Sequence, residues 1–248
     1  MHKPLISVVI PTYNRADSLM LAVNSALGQT YENFEIIIVS DGSTDHTDNI
    51  VAPLVNGKVR YLRLSENCGG GKARNTGIAD ARGTFVAFLD DDDVWLPSKL
   101  AEQLDFINTR NVDICYTAMR KMYWKNRWRQ DRFNSTPPVN PIKAILTDNY
   151  IGPTSSVMIY KSFLDRIGGF DHQLLALQDW DLYIRLIQAG AKAEGLNRVL
   201  VEYYKIDENT VSRNFRNFYS AGKHIITKLQ GNPYRFRFQI RFYTILAS

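Results

Sequence analysis

The sequence predicts an α/β fold in which helices flank a mostly parallel β-sheet. Over the first hundred residues, short apolar runs alternate with segments of helical periodicity, as they do in βαβ units. The run at 84–89 is nearly all apolar, which is typical of a strand buried on both faces of a parallel sheet. Apolar residues make up 45% and charged residues 22% of the 248 residues, so a disordered, collagen-like or coiled-coil chain is not expected.

Each element of the first half is predicted from a local pattern. The first strand, at 5–10, is a short apolar run that ends at Pro11 with no cleavage site after it, so it is not interpreted as a signal peptide. Asp17 or Ser18 is predicted to cap the first helix, whose apolar residues recur at helical spacing as far as Gly28. The elements predicted next are strands at 34–39, 58–64 and 84–89 and helices at 50–55, 72–81 and 98–108.

The composition changes after a strand predicted at 113–118. Residues 120–138 interleave basic and aromatic side chains and end in two prolines, and they are either a hairpin or an excursion from the sheet. A helix at 142–148, a strand at 157–160 and a helix at 179–190 follow. Residues 213–248 hold seven basic and no acidic residues, so the net charge of +5 comes from this extension and residues 1–212 carry −2.

Four consecutive carboxylates, at 90–93, follow the buried strand at 84–89 directly. They repel one another unless a cation lies among them, and oxygen ligands suit Mg²⁺ or Mn²⁺. Ligands of open α/β sheets bind at the carboxyl ends of the strands. A divalent metal site is therefore favoured over a solvated acidic turn.

Two further loops are predicted at the same sheet edge. Thr12 and Tyr13 follow the first strand and Asp41 follows the second. An Asp can accept hydrogen bonds from a nucleobase or a ribose, and Tyr13 offers a stacking face, although each residue alone is also typical of a turn. The glycines at 69–71 do not form a phosphate-loop motif, and Arg74 after them suits either a phosphate or base contact or a structural ion pair. Asp179, at a helix start, suits either a helix cap or a general base.

The ordered set of motifs resembles the inverting family 2 glycosyltransferases over about residues 4–212. The resemblance implies the GT-A fold, a Rossmann-like nucleotide-binding sheet merged with a smaller acceptor-side part. It divides the chain into a donor half at about 1–110, an acceptor half at about 111–212 and a basic aromatic extension at 213–248. The motifs are Val8-Val9-Ile10-Pro11-Thr12-Tyr13-Asn14-Arg15, Val39-Ser40-Asp41-Gly42-Ser43-Thr44-Asp45, Ala73-Arg74-Asn75-Thr76-Gly77-Ile78, the segment 88–97, Gly168-Gly169-Phe170-Asp171 and Asp179-Trp180-Asp181.

The resemblance also implies an activity and roles for individual residues. The expected reaction moves a sugar from a nucleoside diphosphate donor, most often a UDP-sugar, to a hydroxyl of a glycan or lipid-linked glycan, in surface polysaccharide synthesis. Asp179 is the expected catalytic base, and Mn²⁺ or Mg²⁺ is expected at Asp92 or Asp93, the direct ligand being left open by the run of four aspartates. The expected nucleotide contacts are Pro11, Thr12, Tyr13, Asp41, Arg74, Asp90, Asp91 and Asp92. Many relatives carry a His near Asp207, which this chain lacks.

Two alternatives to this activity are a non-catalytic nucleotide-sugar or glycan-binding module and an aspartate-nucleophile phosphatase, which would carry its aspartate motif on the first strand. The aromatics of the extension either pack on the domain or, with the segment of Trp124 and Trp128, contact anionic lipid. No nucleic-acid partner is expected. The sequence has no run of about 18 apolar residues, so no membrane span is predicted. Two distant cysteines are typical of the reducing cytoplasm, so we expect a cytoplasmic protein, held at the inner face of the plasma membrane if the extension binds lipid.

Overall fold

The computed structural model describes residues 3–123, 128–133, 138–205 and 215–247. The strands in this part of the chain are β1 (Ile6–Thr12), β2 (Phe34–Ser40), β3 (Val59–Arg63), β4 (Phe85–Phe88), β5 (Asp93–Trp95), β6 (Ile114–Tyr123), β7 (Trp128–Arg132), β8 (Val157–Tyr160) and β9 (Ala193–Lys205). The helices are α1 (Ala16–Leu27), α2 (Thr47–Val51), α3 (Gly70–Asp80), α4 (Lys99–Arg110), α5 (Pro141–Ile145), α6 (Lys161–Ile167), α7 (Gln178–Gln188), α8 (Phe215–Lys228) and α9 (Arg235–Ala247).

The strands form one sheet in the order β3-β2-β1-β4-β8-β6-β9-β5, with β7 pairing with β6 beside this path. The first four strands are parallel, with Ile10 opposite Ile38 and Val9 opposite Phe88. β8 runs antiparallel between β4 and β6, and β6 and β9 are again parallel. The predicted α/β fold is confirmed, and its parallel half presents the ends of β1, β2 and β4 at one edge.

The parallel half is buried on both faces of the sheet. Every residue of β1 and β2 is buried, as the continuous apolar runs predict. Side chains alternate along each strand, so Val8 packs in the core layer that contains Leu19 of α1, whereas Val9 packs with Phe88 and α7 on the other face. Helices on both faces therefore hold the strand ends in fixed register.

The predicted cap of the first helix is wrong. Asp17 and Ser18 both lie inside α1, and the residue that precedes the helix, Arg15, makes no side-chain cap bond. The carboxylate of Asp45, in the loop after β2, accepts the hydrogen bond of the Ala16 N–H at 3.1 Å instead. The cap comes from a distant part of the chain, so local sequence could not reveal it.

The segment at 120–138 is in part a hairpin, because β6 and β7 pair antiparallel with Met119 opposite Arg132. Trp124 lies outside the described residues. In the basic aromatic extension, Arg235–Ala247 form the helix α9. The strands β5 and β9 and the helix α6 were not predicted.

The helices α8 and α9 pack on the main body. Phe238 and Phe242 are fully buried, and the Phe238 ring lies 4.9 Å from the Trp180 ring of α7 in an edge-to-face contact. The Lys228 ammonium of α8 bonds the buried Asp181 carboxylate of α7 and reaches Asp171 at 3.0 Å. This part of the extension therefore belongs to the same core as α7.

Candidate active site

The carboxyl ends of β1, β2 and β4 bring the predicted nucleotide contacts to one edge of the sheet. The Asp41 N–H donates to the Thr12 carbonyl at 2.8 Å, and the Leu89 N–H, just before the acidic run, donates to the Val9 carbonyl at 3.0 Å. Pro11 and Thr12 are buried, whereas the Tyr13 side chain is 43% exposed and available for stacking. The backbone register of three adjacent strands thus fixes the position of this edge.

Asp41 is buried, and its carboxylate already accepts two backbone hydrogen bonds. The N–H groups of Cys68 and Gly69 each donate to it at 2.8 Å. Gly42, with φ +70°, allows this close approach, because a Cβ there would lie 2.5 Å from the Glu66 carbonyl carbon. Asp41 therefore fastens the start of α3 to the end of β2, and its predicted contact with a nucleoside would use the remaining lone pairs of its oxygens.

Arg74 joins the end of β4 to the start of α7. Its Nη2 lies 2.5 Å from Asp90 Oδ1, and its Nη1 donates to Gln178 Oε1 at 3.2 Å. Burial lowers the pKa of Arg74, but the adjacent Asp90 carboxylate outweighs this and raises it. Of the two interpretations from sequence, the structure contains the ion pair, and the charge of Asp179 also acts on the pKa of the same guanidinium.

The four aspartates have different surroundings. Arg15 binds Asp91 at 3.1 Å and Asp92 at 2.6 Å. Burial raises the pKa of the Asp91 carboxyl to about 6, and burial together with the charge of Asp90 raises that of Asp92. Asp93 is 1% exposed, neither of its oxygens has a hydrogen-bond partner in the described part of the chain, and burial and the neighbouring carboxylates raise its pKa well above the usual range. The cluster carries more negative charge than its two arginines offset.

The carboxylate oxygens of this cluster suit a divalent cation whose other ligands come from a bound substrate. No three acidic, histidine or cysteine side chains among the described residues converge on a point where they could hold a metal ion by themselves. Mg²⁺ is usually bound by one or two carboxylates together with substrate phosphates, which needs no such cage. The Asp92 side chain is 30% exposed whereas Asp93 is buried, so Asp92 is the more accessible of the two predicted ligands.

Asp179 lies in the first turn of α7 with its carboxylate near the acidic run. The Asn149 amide donates to Asp179 Oδ2 at 3.0 Å. Burial raises the pKa of Asp179, with the backbone N–H of Trp180 and the charge of Arg74 opposing this. The fully buried Tyr183, one turn further along α7, has a hydroxyl without a hydrogen-bond partner among the described residues. A partly buried carboxylate with a raised pKa has the properties of a general base.

The loop at 148–156 supplies site residues that sequence reasoning missed. The Thr154 hydroxyl lies 3.2 Å from Asp90 Oδ2, and the Ser155 hydroxyl accepts the Asp90 N–H bond at 3.0 Å. No local pattern marked these residues or Asn149, because antiparallel pairing of β8 with β4 brings this loop to the site. Arg15 was detectable, since it is the last residue of the first motif.

The phosphatase interpretation requires the aspartate run on the first strand. The run follows β4, and three parallel strands precede β4 in the chain. The structure therefore contradicts that alternative.

The model of the family "Glycosyl transferase family 2" matches residues 7–168. The chain is 32% identical over 212 residues to the Escherichia coli UDP-Glc:alpha-D-GlcNAc-diphosphoundecaprenol beta-1,3-glucosyltransferase WfaP, covering 85% of this chain and 80% of that protein. It is 33% identical over 214 residues to the Bacillus subtilis putative teichuronic acid biosynthesis glycosyltransferase TuaG, covering 86% of this chain and 83% of that protein.

Solved structures show the same fold. The Staphylococcus aureus TarS 1–349 complex with UDP-GlcNAc matches with a TM-score of 0.77 and 25% identity, over 95% of this chain and 70% of that chain. The Pyrobaculum calidifontis mannosyltransferase PcManGT, in complex with GDP-Man and Mn²⁺, matches with a TM-score of 0.72 and 18% identity, over 98% of this chain and 69% of that chain. The chain therefore belongs to the family 2 glycosyltransferases and is a glycosyltransferase with the GT-A fold.

Proposed function

We propose that this enzyme transfers a sugar from a UDP-sugar to a hydroxyl of a lipid-linked glycan, with inversion and with a divalent metal, in the synthesis of a surface polysaccharide. The observation that carries the proposal is the Arg74 link, which holds the acidic run and the Asp179 helix at one site. The E. coli and B. subtilis relatives, named for a UDP-glucose donor, a diphosphoundecaprenol-linked acceptor and teichuronic acid, support the substrate classes.

The proposed chemistry assigns each group one task. Asp179 accepts the proton of the acceptor hydroxyl as that oxygen attacks the anomeric carbon from the face opposite the departing diphosphate, so a single displacement inverts the configuration. A metal held at Asp92 would offset the negative charge that develops on the diphosphate. Arg74 fixes the orientation of Asp90, and the Asn149 amide holds one oxygen of Asp179 so that the other can face the acceptor.

The first experiment is a thermal-shift titration with UDP, GDP and ADP, each with Mn²⁺, with Mg²⁺ and with EDTA. A ligand that binds only the folded state raises the melting temperature, by an amount that grows with its concentration over its Kd. We expect the largest shift with UDP and expect EDTA to abolish it. A protein that none of these nucleotides stabilises would refute the donor site, and UDP binding without transfer to any acceptor would favour the binding-module alternative.

We also propose that α8 and α9 hold the enzyme on an anionic membrane surface. No helix in the described parts of the chain is long and apolar enough to cross a membrane. Phe236 and Ile240 of α9 are 68% and 52% exposed, Phe215 of α8 is 63% exposed, and the 213–248 segment is basic without any acidic residue. Exposed aromatic and aliphatic side chains among basic ones suit the boundary between lipid headgroups and acyl chains.

Vesicle flotation tests this contact. The protein should float at low salt with vesicles of phosphatidylglycerol and phosphatidylcholine, and should float less with phosphatidylcholine alone. The variant Phe236→Ser/Ile240→Ser should lose flotation, whereas Leu21→Ser, which removes a 63% exposed leucine from α1, should retain it. Wild-type protein that stays in the soluble fraction with anionic vesicles would refute the contact.

A further inference from the structure

A cleft separate from the acidic run lies between the β6–β7 hairpin and the loop at 148–153. Its volume is about 180 Å³, and its walls include Thr117 of β6, Arg132 of β7, and Tyr150 and Gly152 of the loop. Pockets for drug-sized ligands are roughly 300–1,000 Å³, so this cleft suits a smaller unit, of the size of one sugar ring.

Two hydroxyl groups in the cleft wall lack partners. Thr117 is 2% exposed, and its Oγ1 makes no hydrogen bond with any described residue. The Tyr150 Oη is likewise buried and without a partner in the described part of the chain, and burial raises the pKa of Tyr150 to about 12, so the phenol keeps its proton. Buried hydroxyls without partners are uncommon in native proteins, and a ligand that carries hydroxyl groups would satisfy both.

The loop that forms one wall of the cleft also contacts the proposed base. The Asn149 Nδ2 donates to Asp179 at 3.0 Å, while its Oδ1 accepts the Gly152 N–H bond at 3.1 Å. Five residues further along the same loop, the Thr154 hydroxyl contacts Asp90. The same short loop therefore supplies residues to the cleft wall and contacts to Asp179 and Asp90.

We propose that this cleft binds the sugar of the acceptor that receives the transferred residue, with the Thr117 and Tyr150 hydroxyls bonded to its hydroxyl groups. The proposal rests on the proposed function, because it adds the acceptor subsite to that reaction. It is specific to these two side chains, which lie on different elements and have no role in the proposed donor site.

The test is saturation-transfer NMR with UDP present, using methyl glycosides of GlcNAc and glucose and GlcNAc joined through diphosphate to a short alkyl chain. The variants Thr117→Val and Tyr150→Phe keep side-chain size and remove one hydroxyl each. Each variant should weaken binding of the probe about two- to tenfold, the effect of one hydrogen bond. The control Thr227→Val removes an exposed hydroxyl of α8 that bonds the Lys223 carbonyl, and it should not change binding.

The outcomes separate this proposal from the proposed function. Wild-type protein that binds none of the probes, or a bound probe whose affinity is unchanged in both variants, would overturn the acceptor subsite. The UDP-induced thermal shift should be the same in all four proteins. If the protein binds the sugar probes but UDP does not raise its melting temperature, the donor site is refuted and the cleft stands as a glycan site. If UDP raises the melting temperature but no sugar probe binds, the cleft alone is refuted. If Thr117→Val lowers the melting temperature strongly, Tyr150→Phe, on the loop, carries the test.

Discussion

Replacing Asp179 with Asn removes the proposed proton acceptor and keeps the size of the side chain. Because burial raises the pKa of Asp179, the folded state favours the protonated carboxyl. The stabilising contribution of such a group is present below its unfolded-state pKa and is lost as the pH rises through the folded-state pKa. At neutral pH the charged carboxylate therefore lowers the free energy of unfolding, so Asp179→Asn should leave the melting temperature unchanged or raise it.

The same substitution should lower the transfer rate by about 10² to 10⁴, the usual contribution of a general base. At about 1.36 kcal/mol for each factor of ten, this corresponds to roughly 3–5 kcal/mol of activation free energy. The assay measures UDP release from the UDP-sugar that gives the largest thermal shift, with the diphosphate-linked GlcNAc probe as acceptor. UDP affinity, measured by calorimetry, should stay within about twofold, because Asp179 is not among the predicted nucleotide contacts.

Turnover within tenfold of the wild-type rate would refute the base assignment. A clear fall in melting temperature with little loss of rate would instead support the helix-cap interpretation. Asp165→Asn is the matched control, since it removes a half-exposed carboxylate of α6 that pairs with Lys161. It should change neither the rate nor the melting temperature measurably.

Three further predictions follow from the described contacts. In a kcat–pH profile, kcat should fall as the pH drops through the raised pKa of Asp179. This fall should occur at a higher pH than the pKa of an exposed carboxyl, and a fall at the ordinary carboxyl pKa would contradict the prediction. Gly222→Ala would place a Cβ 1.9 Å from a ring carbon of Phe242. The overpacking, about 1–3 kcal/mol, should lower the melting temperature measured by calorimetry by roughly 2–12 °C. The control Gly57→Ala, whose Cβ would have no atom within 4 Å, should leave the melting temperature unchanged. Arg74→Lys cannot keep both guanidinium contacts and should lower kcat about 10- to 100-fold in the transfer assay, and an unchanged kcat would refute the positioning role.

The parallel half was predictable because each of its elements has a strong local pattern. The strands β1, β2 and β4 are short, almost wholly apolar runs, and they end within two residues of the predicted positions. The strand β9 was missed because polar residues such as Glu194 and Asn197 interrupt its apolar pattern, although its pairing with β6 holds it in the sheet. The strand β5 was missed because it is three residues long and begins inside the acidic run.

The candidate site was predictable only where a motif ended a strand or began a helix. The positions of Asp41, Asp90 and Asp179 follow from the order of strands and helices. Their partners do not, since Asn149 and Thr154 come from a loop without a sequence signature and act through contacts across the fold. The roles of all these residues remain predictions.

The packing of α8 and α9 on α7 bears on how this enzyme should be engineered. A shortened chain that ends at residue 212 would uncover the Trp180 ring and remove the Lys228 partner of the buried Asp181 carboxylate, two residues from the proposed base. Such a chain would expose an apolar surface and leave the Asp181 carboxylate with Arg185 of α7 as its remaining basic partner among the described residues, so it should aggregate. If flotation confirms the proposed lipid contact, polar substitutions on the outer face of α9 are a better way to weaken it than deletion.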